Sequence, residues 1–331
     1  MGHRKKHAPK RGSLSYSPRK RADSLIPRVK TWPRLDVEEP TILGFSGYKA
    51  GMTGIVYAES DRNSINYGKE VFTAATILET PPLYAAGLVN YSISEEENRL
   101  KSSGMAFAEK IPADLRRRVK NLSVANSQRN LEIIEGSLNS STRLRILFST
   151  QPKLAGIRKK TPEVFEVEIG GKASPREKFT FATKLLGTDV HVNTVHRAGD
   201  VIDTLAVTKG KGFQGPVKRW GIKILPPKSR KSKRKPGALG PWKPASTMYT
   251  VPAAGQMGYH RRTQYGVKIL AIERPESISE FHRYGVLKSD YMILKGSIPG
   301  PVRRLVRTRP TLRPKTETAP APELTYVQKG V

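Results

Sequence analysis

The chain has 331 residues, with 59 Lys and Arg against 28 Asp and Glu, and a formal net charge of +31. Its length predicts about two domains, and its hydrophobic fraction of 37% is below the usual range of roughly 45–50%, so only part of the chain can form a core. It contains no cysteine and no long apolar run, which excludes disulfides, thiolate metal sites and membrane-spanning helices. A polyanion is the expected partner for this charge.

Residues 1–38 are predicted to form a basic arm. Residues 1–35 hold 11 basic side chains and one acid, Asp23, and their prolines and glycines interrupt helices. Tyr16 and Trp32 lie among the charges, where an aromatic ring either stacks on an unpaired base or holds the segment in a local core. The RNA-binding residues predicted in this arm are Arg4, Lys5, Lys6, Lys10, Arg11, Arg19, Lys20 and Arg21.

Three segments, 39–94, 188–208 and 263–310, are predicted to form one β-barrel, because short apolar runs alternate with glycine and proline. A turn-rich stretch is expected at 47–52 and a C-terminal tail at 311–331. The predicted strands are 41–45, 54–57, 74–78, 83–89, 201–207, 265–272 and 291–294.

Residues 95–187 have a mixed pattern and are predicted to form an α/β insertion in this barrel. Helices are expected at 113–120 and after Ser174, a plausible N-cap, and strands at 143–148 and 164–169. In the second strand Phe165, Val167 and Ile169 alternate with glutamates and are predicted to point inward.

Residues 209–262 are predicted to form a long basic loop. No acid lies between Asp203 and Glu273, whereas 15 Lys and Arg do. Aromatic residues are interleaved with these charges, as in proteins that bind single-stranded RNA, and a duplex-DNA reader would need a recognition helix. The predicted RNA-binding residues here are Lys209, Lys211, Lys218, Arg219, Trp220, Lys228, Arg230, Lys231, Lys233, Arg234, Lys235, Trp242, Lys243, Gln256, His260, Arg261 and Arg262.

The same segment argues against catalysis. Without carboxylates it offers neither a general base nor a metal ligand for nucleic-acid chemistry. The glycine-rich run at 210–215 does not match a P-loop and is predicted to precede no helix. His191 and His196 lack further ligands at metal spacing, so neither a metal nor a cofactor is expected.

Several motifs, in order along nearly the whole chain, carry a resemblance to the universal large-subunit ribosomal protein L-three family in its archaeal form. They are SPRKR at 17–21, GYKAGMT at 47–53, ETPP at 79–82, VTKGKGFQG at 207–215, KRWG at 218–221, GPWKP at 240–244, AGQMGYHRRT at 254–263 and KGSIPG at 295–300. Arg230 and Lys243 stand where eukaryotic members tend to have histidine, which favours the archaeal form.

This resemblance implies a translation-factor-like six-stranded β-barrel with an inserted α/β subdomain and long basic extensions. It implies a structural constituent of the cytoplasmic large ribosomal subunit, which is not an enzyme or a homo-oligomer and binds neither membrane nor DNA. The family binds large-subunit 23S rRNA near its 3′ end, nucleates assembly and lies beside ribosomal protein L-fourteen. Trp242 and Lys243 would be the loop tip near the peptidyl-transferase centre, and Gln256 matches a glutamine that some bacterial members methylate.

Other functional classes remain open on the residues alone. A free-standing RNA chaperone or regulator would share the basic extensions but would have a pool away from ribosomes. An RNA-modifying enzyme would need a cofactor pocket and a catalytic cluster within 95–187. A membrane-surface protein would need an amphipathic basic helix, and the basic runs do not have that pattern.

Overall fold

The computed structural model describes residues 11–94, 98–119, 126–140, 143–228, 232–243, 245–275, 280–314 and 320–328. The protein is mainly β, with 36% strand and 14% helix, as predicted. Its internal contacts divide it into two compact units. Met1–Leu25 and Val207–Arg262 form the first, here called the basic unit, and Ile26–Ala206 and Thr263–Val331 form the second, the body. Within the described ranges no helix is both long and apolar enough to cross a membrane.

The secondary structure consists mostly of short strands. The strands are β1 Thr41–Ile42, β2 Phe45–Ala58, β3 Glu70–Glu79, β4 Leu83–Ser94, β5 Arg99–Phe107, β6 Arg143–Ser149, β7 Val164–Gly170, β8 Asp189–Val190, β9 Val201–Val207, β10 Phe213–Gln214, β11 Gly255–Gln256, β12 Arg261–Glu273, β13 Glu280–Phe281, β14 Gly285–Val286, β15 Tyr291–Lys295, β16 Leu305–Pro310 and β17 Leu324–Val327. The α-helices are α1 Ala113–Arg116, α2 Ser127–Gly136, α3 Pro175–Leu185 and α4 Pro216–Trp220, and 3₁₀ helices lie at Leu14–Tyr16, Leu138–Ser140, Pro152–Leu154 and Val192–Thr194.

Six strands of the body pair in a closed ring. β2 pairs with β3, which is followed by β15, β12, β9 and β16, and β16 pairs back to β2 through Leu305↔Tyr48 and Thr308↔Phe45. β17 pairs with the far end of β2, at residues Ile55–Tyr57. Because closure leaves the ring strands with partners on both sides, few ring edges remain free for pairing with other chains.

A second sheet of the body has the strand order β1-β7-β6-β4-β5, with β8 beside β4. The alternating burial along β6 and β7 packs Ile146, Phe148, Phe165 and Val167 into a core that α2 and α3 also cover. Helix α3 begins at a capping box, in which Ser174 accepts from the Glu177 amide and Glu177 accepts from the Ser174 amide.

Residues 26–35, predicted as part of the basic arm, are anchored in the body. Trp32 is only 9% exposed and belongs to the main hydrophobic core, so the local-core reading holds for this tryptophan. Arg307 donates from Nη1 to the Pro27 carbonyl at 3.1 Å. Arg309 donates to the Thr31 carbonyl and forms a buried ion pair with Asp203 at 3.2 Å. Two arginines of β16 therefore hold the start of the body in place.

Most predicted elements of the body are confirmed. The strands predicted at 74–78, 143–148, 164–169, 201–207, 265–272 and 291–294 correspond to β3, β6, β7, β9, β12 and β15, and the helix after Ser174 is α3. Phe165, Val167 and Ile169 are buried as predicted. The strand predicted at 83–89 is also present, but β4 pairs within the second sheet and not in the ring.

Other predictions for the body were wrong. Residues 47–52, predicted as turn-rich, lie inside β2, and the separate strand predicted at 54–57 is the end of that same strand. The helix predicted at 113–120 ends at Arg116, with residue 120 outside the described part of the chain. Strand β17 lies in the segment predicted as a tail, and β5, β16 and α2 were not predicted. The boundaries of the seven predicted segments stay predictions.

A buried carboxylate, Glu79 at the end of β3, joins two loops of the body. It is fully buried and accepts from the backbone amides of Gly156, at 2.9 Å, and of Lys288 and Ser289, at 2.7 and 3.0 Å. The Tyr284 hydroxyl donates to Oε2, the carboxylate oxygen that also accepts from the Gly156 amide. Burial, followed by the Glu79 charge, raises the pKa of Tyr284, so this hydroxyl remains a donor.

We expect Glu79→Gln to lower the free energy of unfolding by about 3 kcal/mol, because a glutamine NH₂ would face backbone donors and leave some of them unpaired. Urea unfolding followed by circular dichroism measures this change. Glu132→Gln, at an exposed position on α2, is the matched control and should stay within about 0.5 kcal/mol. Equal midpoints for the two variants would contradict the role of Glu79.

Candidate nucleic-acid interface

The two ends of the long basic segment pair with each other inside the basic unit. β10 and β11 pair through Phe213↔Gln256. Next to them the Lys211 amide donates to the Met257 carbonyl at 3.0 Å, and the Met257 amide donates to the Gly212 carbonyl at 2.9 Å. This ladder, here called the neck, brings together the two ends of the segment that runs from residue 215 to residue 254.

The N-terminal arm lies against the neck. The Ala22 amide donates to the Tyr259 carbonyl at 2.8 Å, and Nδ1 of His260 lies 2.9 Å from the Lys20 carbonyl oxygen. His260 is also held from the neck side, where its amide donates to Oγ1 of Thr208 at 3.1 Å. The predicted RNA-binding His260 therefore has a structural task in joining the arm to the neck.

Arg19, Arg219 and Trp220 form the centre of this junction. The Arg19 guanidinium lies 3.8 Å from the centroid of the Trp220 ring, a cation–π distance, and donates to the Arg219 carbonyl at 2.9 Å. Arg219 donates to the carbonyls of Ala253, at 2.9 Å, and Gln256, at 3.0 Å. Nε1 of Trp220 donates to the same Ala253 carbonyl at 2.8 Å. Trp220 is thus engaged within the protein on both its face and its edge.

The electrostatics of the basic unit are one-sided. Its only acid is Asp23, and the 3.6 Å pair of Asp23 with Lys20 is exposed to solvent and contributes little. Burial lowers the pKa values of Arg219 and His260, and the nearby positive charge of Arg19 lowers both further. Burial also lowers the pKa of Arg262, whose guanidinium stacks 4.7 Å from the Tyr16 ring centroid. Ordered cations therefore lie together without carboxylates to neutralise them.

The predicted RNA-binding residues fall into three groups. Those exposed to solvent are Arg11, Lys20, Arg21, Lys209, Lys211, Lys218, Lys228, Lys233, Arg234, Lys235, Trp242, Lys243 and Arg261. Those half-buried in the junction or neck are Arg19, Arg219, Trp220, Gln256, His260 and Arg262. Arg4, Lys5, Lys6, Lys10, Arg230 and Lys231 lie outside the described residues.

Three aromatic residues of the basic unit point largely into solvent. Trp242, Phe213 and Tyr249 are 92%, 78% and 76% exposed. Exposed rings among cations are suited to stacking on unpaired bases. The tryptophans thus divide, with Trp242 free on the surface, Trp220 engaged in the junction and Trp32 buried in the core of the body.

Gln256 uses its side chain inside the neck. Its Nε2 donates to the carbonyl oxygens of Met257, at 3.3 Å, and Gly258, at 3.0 Å. A methyl group on this nitrogen would replace one of the two hydrogens. Modification of Gln256 would therefore alter the neck itself, and it stays a prediction from the family resemblance.

Two features of the interface were missed in the sequence. Helix α4 starts directly after Gly215, so the prediction that the glycine-rich run precedes no helix was wrong. Pro216 at the first helical position was the available signal. Thr208, which holds the His260 amide, was not singled out, because a lone hydroxyl after a strand is too common to carry information. Among the described residues, no group of three or more His, Asp or Glu could hold a metal ion.

The sequence of this chain is similar to those of a known protein family. The family model for ribosomal protein L3 matches residues 1–330. A protein of Methanothermobacter thermautotrophicus named large ribosomal subunit protein uL3 is 44% identical, covering 97% of this chain and 96% of its own length. Proteins of the same name from Methanobrevibacter smithii and Pyrobaculum calidifontis are 42% and 44% identical, covering 97% and 95% of this chain and 96% and 95% of their own lengths.

We expect Gly258→Ala to open the neck. Gly258 has φ +69°, and a Cβ there would overlap the Lys209 carbonyl oxygen. Gly212→Ala is the matched control, because φ is +66° and the space beside it is open, so only the left-handed strain of about 1 kcal/mol applies. Amide hydrogen exchange at Thr208, whose NH donates to the His260 carbonyl, should accelerate strongly in Gly258→Ala alone. Equal acceleration in both variants would refute this contact.

Proposed function

This chain belongs to the ribosomal protein L3 family, and we propose that it is a structural constituent of the large ribosomal subunit that binds large-subunit 23S rRNA through its basic unit. No catalytic step is assigned to it. The proposal explains why the cations concentrate in one unit and why that unit presents exposed aromatic rings.

One observation carries this proposal: the arginines of the junction are held by carbonyl oxygens and rings, not by carboxylates. Such contacts satisfy N–H donors but leave the full positive charge. The charge then remains available for RNA phosphates, and the counterions that phosphates hold are released on binding. Exposed Trp242, Phe213 and Tyr249 add stacking surfaces for unpaired bases.

Several finer features of this proposal rest on the family resemblance. The chain binds near the 3′ end of 23S rRNA, nucleates subunit assembly and directs its long loop toward the peptidyl-transferase centre, with Trp242 and Lys243 at the tip. The ring of six strands is a translation-factor-like barrel, and ribosomal protein L-fourteen is a neighbour. The protein would accordingly reside in ribosomes of the cytoplasm.

A free-standing RNA chaperone or regulator is the alternative. It would use the same cations but would not co-sediment with large subunits. Sucrose-gradient sedimentation of the tagged protein separates the two readings, because a structural constituent is found almost entirely with large subunits. A dominant pool at the top of the gradient would favour the alternative.

The salt dependence of rRNA binding provides the first test. If about half of the excess charges of the extensions meet phosphates, log K should fall with log salt at a slope of about −8 to −11. Replacing Lys233, Arg234 and Lys235 by glutamine should reduce that slope by about 2. The control replaces exposed Lys69, Lys110 and Lys184 of the body, which removes the same charge and should leave the slope nearly unchanged. Equal effects would indicate non-specific attraction only.

Trp242→Ala is expected to separate two roles of the loop. Loss of one base–aromatic stack of about 1–3 kcal/mol should weaken tRNA or factor binding to assembled subunits. It should leave subunit yield nearly normal, since the ring is 92% exposed. Filter binding of tRNA and gradient profiles measure the two effects. A severe loss of subunits with normal tRNA binding would contradict this role.

A further inference from the structure

We infer that a cavity in the basic unit is a site for a single phosphate group of the RNA backbone. This inference rests on the proposed function and deepens it by naming which residues hold one phosphate. The cavity has a volume of about 360 Å³ and lies between the arm and the neck, entirely within the basic unit. Its lining includes the cations Arg19, Lys209, Lys211, Arg219 and Arg262, together with His260.

The lining lacks anionic side chains. Thr208, Met257 and Gly258 complete it, and none of these carries a negative charge. Arg19 of the arm, Lys209 and Lys211 before β10, Arg219 of α4 and Arg262 of β12 contribute the cations, so separate parts of the sequence converge on one space. A cavity with several cations and no carboxylate favours an oxyanion such as a phosphodiester over any neutral ligand.

The donors of the cavity differ in how far the protein itself uses them. Arg219 already donates to the carbonyls of Ala253 and Gln256, so it contributes mainly charge. Nε of Arg19 is buried and has no acceptor within the described part of the chain. A buried donor without an acceptor is costly, and a ligand oxygen would satisfy it.

The lysines supply the remaining donors. Lys209 and Lys211 are exposed and alternate with glycines, so their side chains can reach a ligand at the mouth of the cavity. Arg262 closes another side, where its ring contact with Tyr16 fixes the plane of the guanidinium. Planar guanidinium and mobile ammonium groups together match the tetrahedral oxygens of a phosphate.

The energetics also favour an anion. Burial and the neighbouring charge of Arg19 lower the pKa values of Arg219, His260 and Arg262, which means that the protein groups around the cavity disfavour positive charge there. A phosphate reverses that effect, because each cation then gains an opposite charge nearby. The attraction of each cation to the phosphate offsets the repulsion between the cations.

Arginine side-chain NMR of the full-length protein tests this site. Inorganic phosphate and dimethyl phosphate are titrated separately against chloride at matched ionic strength, and the Nε–H signal of Arg19 is followed. Both probes should shift this signal with saturation, and the diester response shows that a backbone phosphate is accepted as well as the free ion. The Arg19 signal is assigned with Arg19→Lys.

Two charge-matched variants decide whether the response is local. Lys209→Gln with Arg262→Gln should weaken phosphate binding about tenfold or more, whereas Lys69→Gln with Lys184→Gln in the body should leave it unchanged. Lys211→Gln, at an exposed position, should weaken phosphate binding severalfold. This single variant replaces the double cavity variant in the test if the double variant does not fold. A response to free phosphate alone would reject the backbone assignment.

Equal weakening by the cavity and body variants would mean an adventitious ion only and would overturn the inference. Binding of 23S rRNA is measured on the same samples, so the two proposals fail separately. Normal rRNA binding with an unresponsive Arg19 signal rejects the phosphate site alone. Absent rRNA binding rejects the proposed function, whatever the small anions do.

Discussion

The basic unit has to order its cations almost without carboxylates, and this constraint shapes the rest of it. Arg19 and Arg219 donate to main-chain carbonyls, and Arg19 and Arg262 lie against aromatic rings. Carbonyls and rings fix the positions of guanidinium groups but do not cancel their charge. The contacts that organise the unit therefore also preserve its attraction for a polyanion.

In the body, by contrast, carboxylates hold some of the arginines in place. Arg145 meets Glu166 at 3.0 Å and Arg309 meets Asp203 at 3.2 Å, so these two arginines have carboxylate partners. Arg307 differs, since burial lowers its pKa to about 9 and its donors reach the carbonyls of Pro27 and Glu166. It is also the residue that anchors the N-terminal segment. Unbalanced charge is thus concentrated in the basic unit, which has 22 Lys and Arg against one acid.

Local patterns predicted much of the body, and long-range contacts explain the errors. The alternation at 164–169 and the cap at Ser174 depend on neighbouring residues, so they were predictable. Gly47 and Gly51 suggested a turn, but they lie inside β2, where a Cβ would collide with the Glu79 carbonyl oxygen or the Phe281 ring. In the interface, the predicted RNA-binding residues follow from charge and composition, which the sequence shows directly. The Arg19–Trp220 contact joins residues about 200 positions apart, and composition carries no signal for it.

The ring closure between β2 and β16 has a consequence for how the protein is made. β2 ends at Ala58 and β16 at Pro310, a separation of 252 residues. At a synthesis rate of about 5–20 residues per second, β16 is completed roughly ten to fifty seconds after β2. Arg307 and Arg309, which anchor residues 27–31, arrive at the same late moment. The nascent chain therefore carries its cationic N-terminus unanchored for most of translation, open to any polyanion that is near the exit of the polypeptide.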